Sequence, residues 1–295
     1  MSSDIHFRRI ALIGIGLIGS SLARLIRRER LADTVTAYSR SAATRQRAKE
    51  LDLVDHLDDD PGAAAAGADL VVLCTPVGSY STIVEAMAPR LDAGAIVTDV
   101  GSVKRAVIDA VAPRLPENVH FVPAHPISGT EYSGPEAGFD TLFEGRWCVL
   151  TPPAGTDPDA VEKVAAFWRR AGSQVDLMSP DHHDMVLAIT SHIPHLLAYN
   201  IVGTVADLEA QTQREAIKYA AGGFRDFTRI AASDPVMWRD VFLNNKEAVL
   251  EMLGRFTEDL ASLQRAIRWG DGDALEAKFV RTRAIRRDVI EADQA

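Results

Sequence analysis

An apolar run at 10–13 leads straight into three glycines, Ile10-Ala11-Leu12-Ile13-Gly14-Ile15-Gly16-Leu17-Ile18-Gly19, and an amphipathic segment, Ser20 to Arg28, follows at once. Strand, glycine turn and helix in that order give G-x-G-x-x-G its meaning. Position 14 must take the tight turn, 16 must leave the backbone open to a diphosphate, and 19 must let the helix lie close to its strand. The helix start then offers unpaired N–H groups and a positive dipole end to an anion. Gly14, Gly16, Leu17, Ile18 and Gly19 are therefore the first candidate cofactor contacts. The bland alternative is a turn whose glycines serve packing alone.

Apolar strands alternate with helical stretches through the rest of the first half. Strands are expected at 9–14, 34–38, 69–74, 95–99, 119–122 and 146–151, and helices at 17–30, 41–51, 79–90, 103–114 and 158–171. Pro61 behind Asp58–Asp60 reads as a further helix start. A last strand at 174–178 closes this half. This pattern predicts an α/β fold, a Rossmann-type, doubly wound, mainly parallel sheet. At Ser179-Pro180-Asp181 the texture changes to long helical segments, 181–209, 213–221, 235–268 and 272–292. The chain thus divides into a dinucleotide-binding domain, 1–178, and an all-α domain for substrate binding and dimerisation, 179–295. Leu250, Leu253, Phe256, Leu260, Leu263 and Ile267 form one apolar helix face. An internal core would absorb part of it, and a homodimer suits the remainder.

The formal charge of −9 argues against nucleic acid or an acidic membrane as partner. Cys74 and Cys148 lie in strand-like stretches and read as buried thiols of a cytoplasmic protein. Residues 8–23 have the composition of a signal peptide, but they double as the phosphate-binding turn. No stretch reaches the roughly 18 uninterrupted apolar residues of a membrane span. No Cys/His spacing suits a metal.

Strand C-termini line the ligand crevice of an open α/β sheet. Tyr38-Ser39-Arg40 ends the second strand and lacks the acid that holds a ribose 2′-hydroxyl in NAD-binding folds. Ser39 and Arg40 instead suit a 2′-phosphate, with Arg45 in reserve, so the reading favours NADP over NAD. Thr75 and Pro76 end another strand. Thr98-Asp99-Val100-Gly101-Ser102-Val103-Lys104 places Ser102 and Lys104 near the nicotinamide, with a helix N-cap as the structural alternative for Ser102. His125, between Pro123 and Pro126, sits at the catalytic edge and suits an acid–base role. In the helical half, Ser191-His192-Ile193-Pro194-His195 brings imidazoles to a proline break. Gly222-Gly223-Phe224-Arg225-Asp226-Phe227-Thr228-Arg229 reads as a loop whose arginines clamp a carboxylate or merely pair on the surface. His182 and His183, at a helix start, read as bland.

GIGLIGSSLA at 14–23, TDVGSVK at 98–104, HPISGTE at 125–131, SHIPH at 191–195 and GFRDFTRIAASDPVMWRD at 223–240 together resemble the TyrA family, the prephenate and arogenate dehydrogenases of tyrosine biosynthesis. The similarity spans nearly the whole chain and is nearest to the bacterial cyclohexadienyl type, which accepts prephenate, arogenate or both. It implies NADP or NAD as cofactor and a small-molecule substrate. By this resemblance His125 is the catalytic histidine at the ring hydroxyl, and Ser102 touches that hydroxyl and the nicotinamide. Arg229 binds the side-chain carboxylate, and His195 lies near the substrate's other end. Gly129, Thr130, Glu131 and Asp226 complete the substrate-binding set, the two acids in a gating ion network. Two rivals share the coarse architecture. A β-hydroxyacid dehydrogenase would use a helical-domain lysine, for which Lys218 and Lys246 are the candidates. A non-enzymatic redox sensor would bind the dinucleotide without needing His125 and Ser102.

Overall fold

The structure, a computed structural model, describes residues 5–130 and 132–291. Strands β1 (Phe7–Ile13), β2 (Ala32–Tyr38), β3 (His56–Asp58), β4 (Leu70–Leu73), β5 (Ile96–Asp99) and β6 (His120–Val122) form one sheet. Its order is β3-β2-β1-β4-β5-β6, every pair parallel. Parallel strands are covered on both faces and so read as continuous apolar runs. Alternation sorts their side chains into two cores. Ile10, Leu12, Leu70, Val72 and Ile96 pack with Leu22, Leu25 and Ile26 of the helix Leu17–Glu29 and with Val164, Phe167 and Trp168 of the helix Pro158–Arg170. Ala11, Ile13, Val71, Leu73 and Val97 pack with Tyr80, Ile83, Val84 and Met87 of the helix Tyr80–Met87 and with Val107 and Val111 of the helix Arg105–Val111. The order reverses between β1 and β4, which opens a crevice at their C-terminal ends.

The single sheet expected from the alternation is in fact two. At Pro123 the chain leaves the first sheet and enters a second, made of β7 (Ala124–Pro126), β8 (Trp147–Leu150) and β9 (Gln174–Leu177). β7 runs antiparallel to β8, and β8 parallel to β9. Proline has no N–H for the ladder; the Pro123 carbonyl accepts from Thr151 instead. This switch of sheets matters because it carries His125. Short β3 escaped the sequence reading, being a half-exposed three-residue edge strand. The helix start at Pro61 is as expected, with the Asp60 carboxylate accepting from Gly62 and Ala63 N–H.

After β9 every element is helical. The run from Pro180 to Ala206 passes through a π turn at Ala188–His192. Pro194 lacks an N–H and crowds the carbonyl four residues back, and the wider turn relieves both. Among the described residues this run alone is long and apolar enough to cross a membrane; however, it carries buried His183, Asp184 and His192 to the junction with the first domain. The segment 222–229 is a helix, Gly222–Thr228, rather than a loop: its glycine pair occupies the first turn and does not interrupt it. The long helix expected at 235–268 is broken at Asn245 into Pro235–Asn244 and Lys246–Trp269. On the latter, Leu250, Leu260 and Ile267 remain exposed, so the single chain does not cover that apolar face. The helix Gly272–Glu291 follows.

Candidate active site

The glycine turn has the geometry that its spacing implies. Gly14 has φ +113°, and a Cβ there would stand 2.8 Å from the Cys74 carbonyl carbon. A Cβ on Gly19 would lie 2.0 Å from the Gly14 oxygen, whereas one on Gly16 would meet nothing within 4 Å. The turn is thus closed where helix meets strand and open where a diphosphate would lie. No side chain caps the helix start at Gly16, which leaves the amides of Leu17 and Ile18 toward that opening. Thr75 packs at Gly14 and accepts a hydrogen bond from the Ser79 hydroxyl; Pro76 follows it. Ser39 and exposed Arg40 stand at the end of β2. Arg45 is committed locally, donating to the carbonyls of Ser39 and Arg40 and facing Asp59. These features fit a dinucleotide.

A buried polar network runs from this domain into the helical one. Asp99, at the end of β5, accepts from Lys104 Nζ at 2.6 Å, from Gly101 N–H and from Ala124 N–H. Lys104 Nζ also donates to the Ala124 carbonyl at 2.7 Å. Both backbone groups of Ala124 are therefore clamped, and with them the start of β7. Burial raises the Asp99 carboxyl and lowers the Lys104 ammonium, each opposed by attraction to the other. Lys104 serves this clamp rather than facing a ligand.

His125, next on β7, is almost fully enclosed, and its Nδ1 lies 2.8 Å from His183 Nε2. His183 Nδ1 lies 2.8 Å from Asp184 Oδ1. The same carboxylate accepts from the Lys104 and Arg105 amides at 2.7 and 2.9 Å, capping the helix Arg105–Val111 from across the domain junction. Asp184 fills the capping role considered for Ser102, which is left half-buried beside His192. Burial, then the neighbouring His183 and Lys104, hold His125 well below the usual histidine range. Burial likewise lowers His183, against the pull of Asp184. Asp184 is itself raised by burial, yet its hydrogen bonds hold it below the usual carboxylate range. Asn245 donates to the Asp184 carbonyl and to His192 Nδ1, and burial pushes His192 down to about 4.

The other end of the site is looser. His195 stacks on Trp238 at 3.7 Å between ring centroids, and its Nδ1 donates to the Ser191 carbonyl. Burial lowers its pKa, and the nearby Arg229 charge adds to this. Arg229 is exposed, just past the helix Gly222–Thr228. Asp226 stands beside Arg225 in the open, 3.7 Å apart with both side chains 79% exposed. Gly129 and Thr130 lie on an exposed loop beyond β7. Thr130 accepts from Tyr132 N–H, and no hydrogen bond joins either residue to His125 among the described residues. Glu131 lies outside the described residues. Lys218 and Lys246 are exposed, and neither enters the network.

Residues 22–177 match the family model described as prephenate dehydrogenase, nucleotide-binding domain, and residues 179–281 match prephenate dehydrogenase, dimerization domain. The chain belongs to the prephenate dehydrogenase family. Within it, a cyclohexadienyl dehydrogenase of Zymomonas mobilis is 44% identical over 280 residues, 95% of each chain. A Bacillus subtilis prephenate dehydrogenase is 32% identical over 92% of this chain and 73% of its own. Among solved structures, A. aeolicus prephenate dehydrogenase, in complex with hydroxyphenyl propionate and NAD+, superposes with a TM-score of 0.88 at 33% identity, covering 98% of this chain and 100% of that one. Synechocystis arogenate dehydrogenase gives 0.80 at 29%, covering 95% and 99%.

For a prephenate dehydrogenase family member, the sequence motifs led to His125 but not to what stands behind it. His183 reads in sequence as an ordinary residue of a helix start, as His182 is, and Asp184 is not singled out at all. The adjacent His-Asp pair was the available signal, and only the fold shows that it faces β7. Trp238 carries no signal apart from its place in the 223–240 motif, and Asn245 carries none.

Proposed function

We propose that this chain oxidatively decarboxylates prephenate, arogenate or both, with His125 taking the proton of the ring hydroxyl. The observation that carries this is a neutral, enclosed imidazole at the crevice edge, held through Nδ1 and without a partner for Nε2 among the described residues. The glycine turn, with Ser39, Arg40, Thr75 and Pro76, would hold NADP or NAD, which when bound accepts the hydride of the hydroxyl-bearing carbon. His125 draws the hydroxyl proton as the ring expels its carboxylate as CO2 and becomes aromatic. Aromatisation supplies the driving force, so these side chains chiefly position and polarise. Ser102, half-buried beside His192, shares the hydroxyl. Arg229 and His195 receive the side-chain end, with Gly129, Thr130 and Asp226 as further contacts.

NADP is placed ahead of NAD on the strength of Ser39 and Arg40, which offer a hydroxyl and a planar cation where an acid would repel the 2′-phosphate. We place the enzyme in the cytoplasm as a homodimer. Its free cysteines suit a reducing compartment, and the exposed Leu250, Leu260 and Ile267 suit a second copy. Incubation with prephenate or arogenate and either dinucleotide, followed by the absorbance of the reduced nicotinamide, tests the reaction. No signal in any combination refutes it, and NAD binding about tenfold tighter than NADP overturns the cofactor preference.

A further inference from the structure

His183 and Asp184 belong to none of the motifs that carry the family likeness, yet they stand directly behind His125. The Asp184 carboxylate accepts the Lys104 and Arg105 amides, and a carboxylate can only accept, so the hydrogen in its 2.8 Å contact with His183 sits on His183 Nδ1. A neutral His183 then offers a bare Nε2. The 2.8 Å contact between that atom and His125 Nδ1 needs one hydrogen, which must reside on His125 Nδ1. His125 Nε2 is left as a lone pair; the ring's one hydrogen bond among the described residues is through Nδ1. The rings meet edge to face, 5.1 Å between centroids.

We infer that His183 and Asp184 form a positioning pair that fixes His125 in the tautomer whose Nε2 can accept the substrate's hydroxyl proton. This rests on the reading of His125 as proton acceptor. After transfer, Nε2–H has formed, the O–H bond has broken, and the imidazolium still donates Nδ1–H to His183. The charged and titratable groups around His125 are His183 and Asp184 from the helix Pro180–Leu187, Lys104 and Asp99 from beyond and within β5, and His192 from the π turn. Burial chiefly disfavours a second proton on His183, and Lys104 adds to this against the opposing pull of Asp184 and Asp99. A proton in place on His183 Nε2 would reverse the arrangement: His125 Nε2 would then hold a hydrogen and could not act as base.

Nitrogen NMR of the full-length apo protein with 15N-labelled histidine distinguishes the two arrangements at neutral pH. The His125 signals are assigned by their loss in His125→Asn. The expected result is a proton on Nδ1 and a bare Nε2; the opposite tautomer in the wild-type protein overturns the inference. His183→Gln supplies an amide oxygen to accept from Nδ1–H, so it should keep the tautomer and a kcat within about tenfold of wild type. His183→Leu supplies no acceptor, and kcat should fall by about 10²-fold or more, with KM changed less than about threefold. Equal kcat values for the Gln and Leu variants also overturn it. Full turnover in His125→Asn sinks instead the reading of His125 as base, a result separate from the tautomer measurement.

Discussion

The two ends of the site are built differently. Behind His125 the charged groups are enclosed and paired: Asp99 by Lys104 and two amides, His183 by Asp184, Asp184 by two amides from the other domain. At the opposite end Arg225 and Asp226 stand in solvent, and Arg229 is exposed. A preformed dry end keeps reacting groups at fixed geometry and spends no reorganisation during chemistry. An open charged end is where, on the proposed function, a substrate carboxylate would arrive and be captured. Substitutions at the first end should therefore cost rate or stability, and those at the second should cost binding or nothing.

His125→Asn should have the largest effect. Turnover should fall by about 10²–10⁴-fold with little change in KM, since an amide cannot take the proton. A variant within about threefold of wild type would break the comparison at its dry end. Lys104→Met comes next. It leaves the Asp99 carboxylate buried without its cation, a loss of about 3–5 kcal/mol in unfolding free energy. Denaturant titration measures this, and a loss under about 1 kcal/mol would mean that the clamp on Ala124 is dispensable.

Acid should act on the same end. An unfolded histidine takes up its proton near pH 6.5, whereas folded His192 does so only at about 4. Between these values the unfolded chain binds more protons, so the stability present above about pH 6.5 drains away as pH falls. His192 alone accounts for about 3 kcal/mol of this by pH 4. His125 and His183, lowered by burial, add losses of the same sign. Denaturation midpoints that stay flat between about pH 7 and pH 5 would contradict a neutral buried cluster. Correspondingly, kcat/KM should hold level through neutral pH and fall only well below the ordinary histidine range.

The contrast between the ends also sets what the sequence could tell. The glycine turn was legible because local backbone demands write themselves into local sequence: Gly14 and Gly19 have no room for a Cβ. Alternation gave the parallel sheet for the same reason. His125 was visible from its prolines, but the departure of its strand into a second sheet was not, because a three-residue strand carries no period. His183 and Asp184 were hidden for a further reason. Their partners lie 58 and 80 residues away, at His125 and Lys104, and no local pattern records such pairing. At the open end the glycine pair of 222–223 suggested a loop, and a helix forms because both glycines sit in its first turn.

Arginines at the open end sharpen the comparison most finely. Arg229→Ala removes a cation near His195 that is proposed to hold the substrate carboxylate, and a lost charge-assisted hydrogen bond corresponds to a KM raised about 10- to 100-fold. kcat should change less than KM, because the reacting carbon lies at the other end. Arg225→Ala removes a cation of the same chemistry only four residues earlier, but its partner is Asp226 and the pair is solvated on all sides. Exposed pairs of this kind contribute almost nothing. Tm should shift by no more than roughly 1–2 °C and KM by less than about twofold. Steady-state kinetics on the two variants side by side make the check. Should Arg225→Ala raise KM as much as Arg229→Ala, substrate capture would depend on the net charge of the helix end rather than on one placed guanidinium, and the open end would be an electrostatic funnel with no fixed clamp in it.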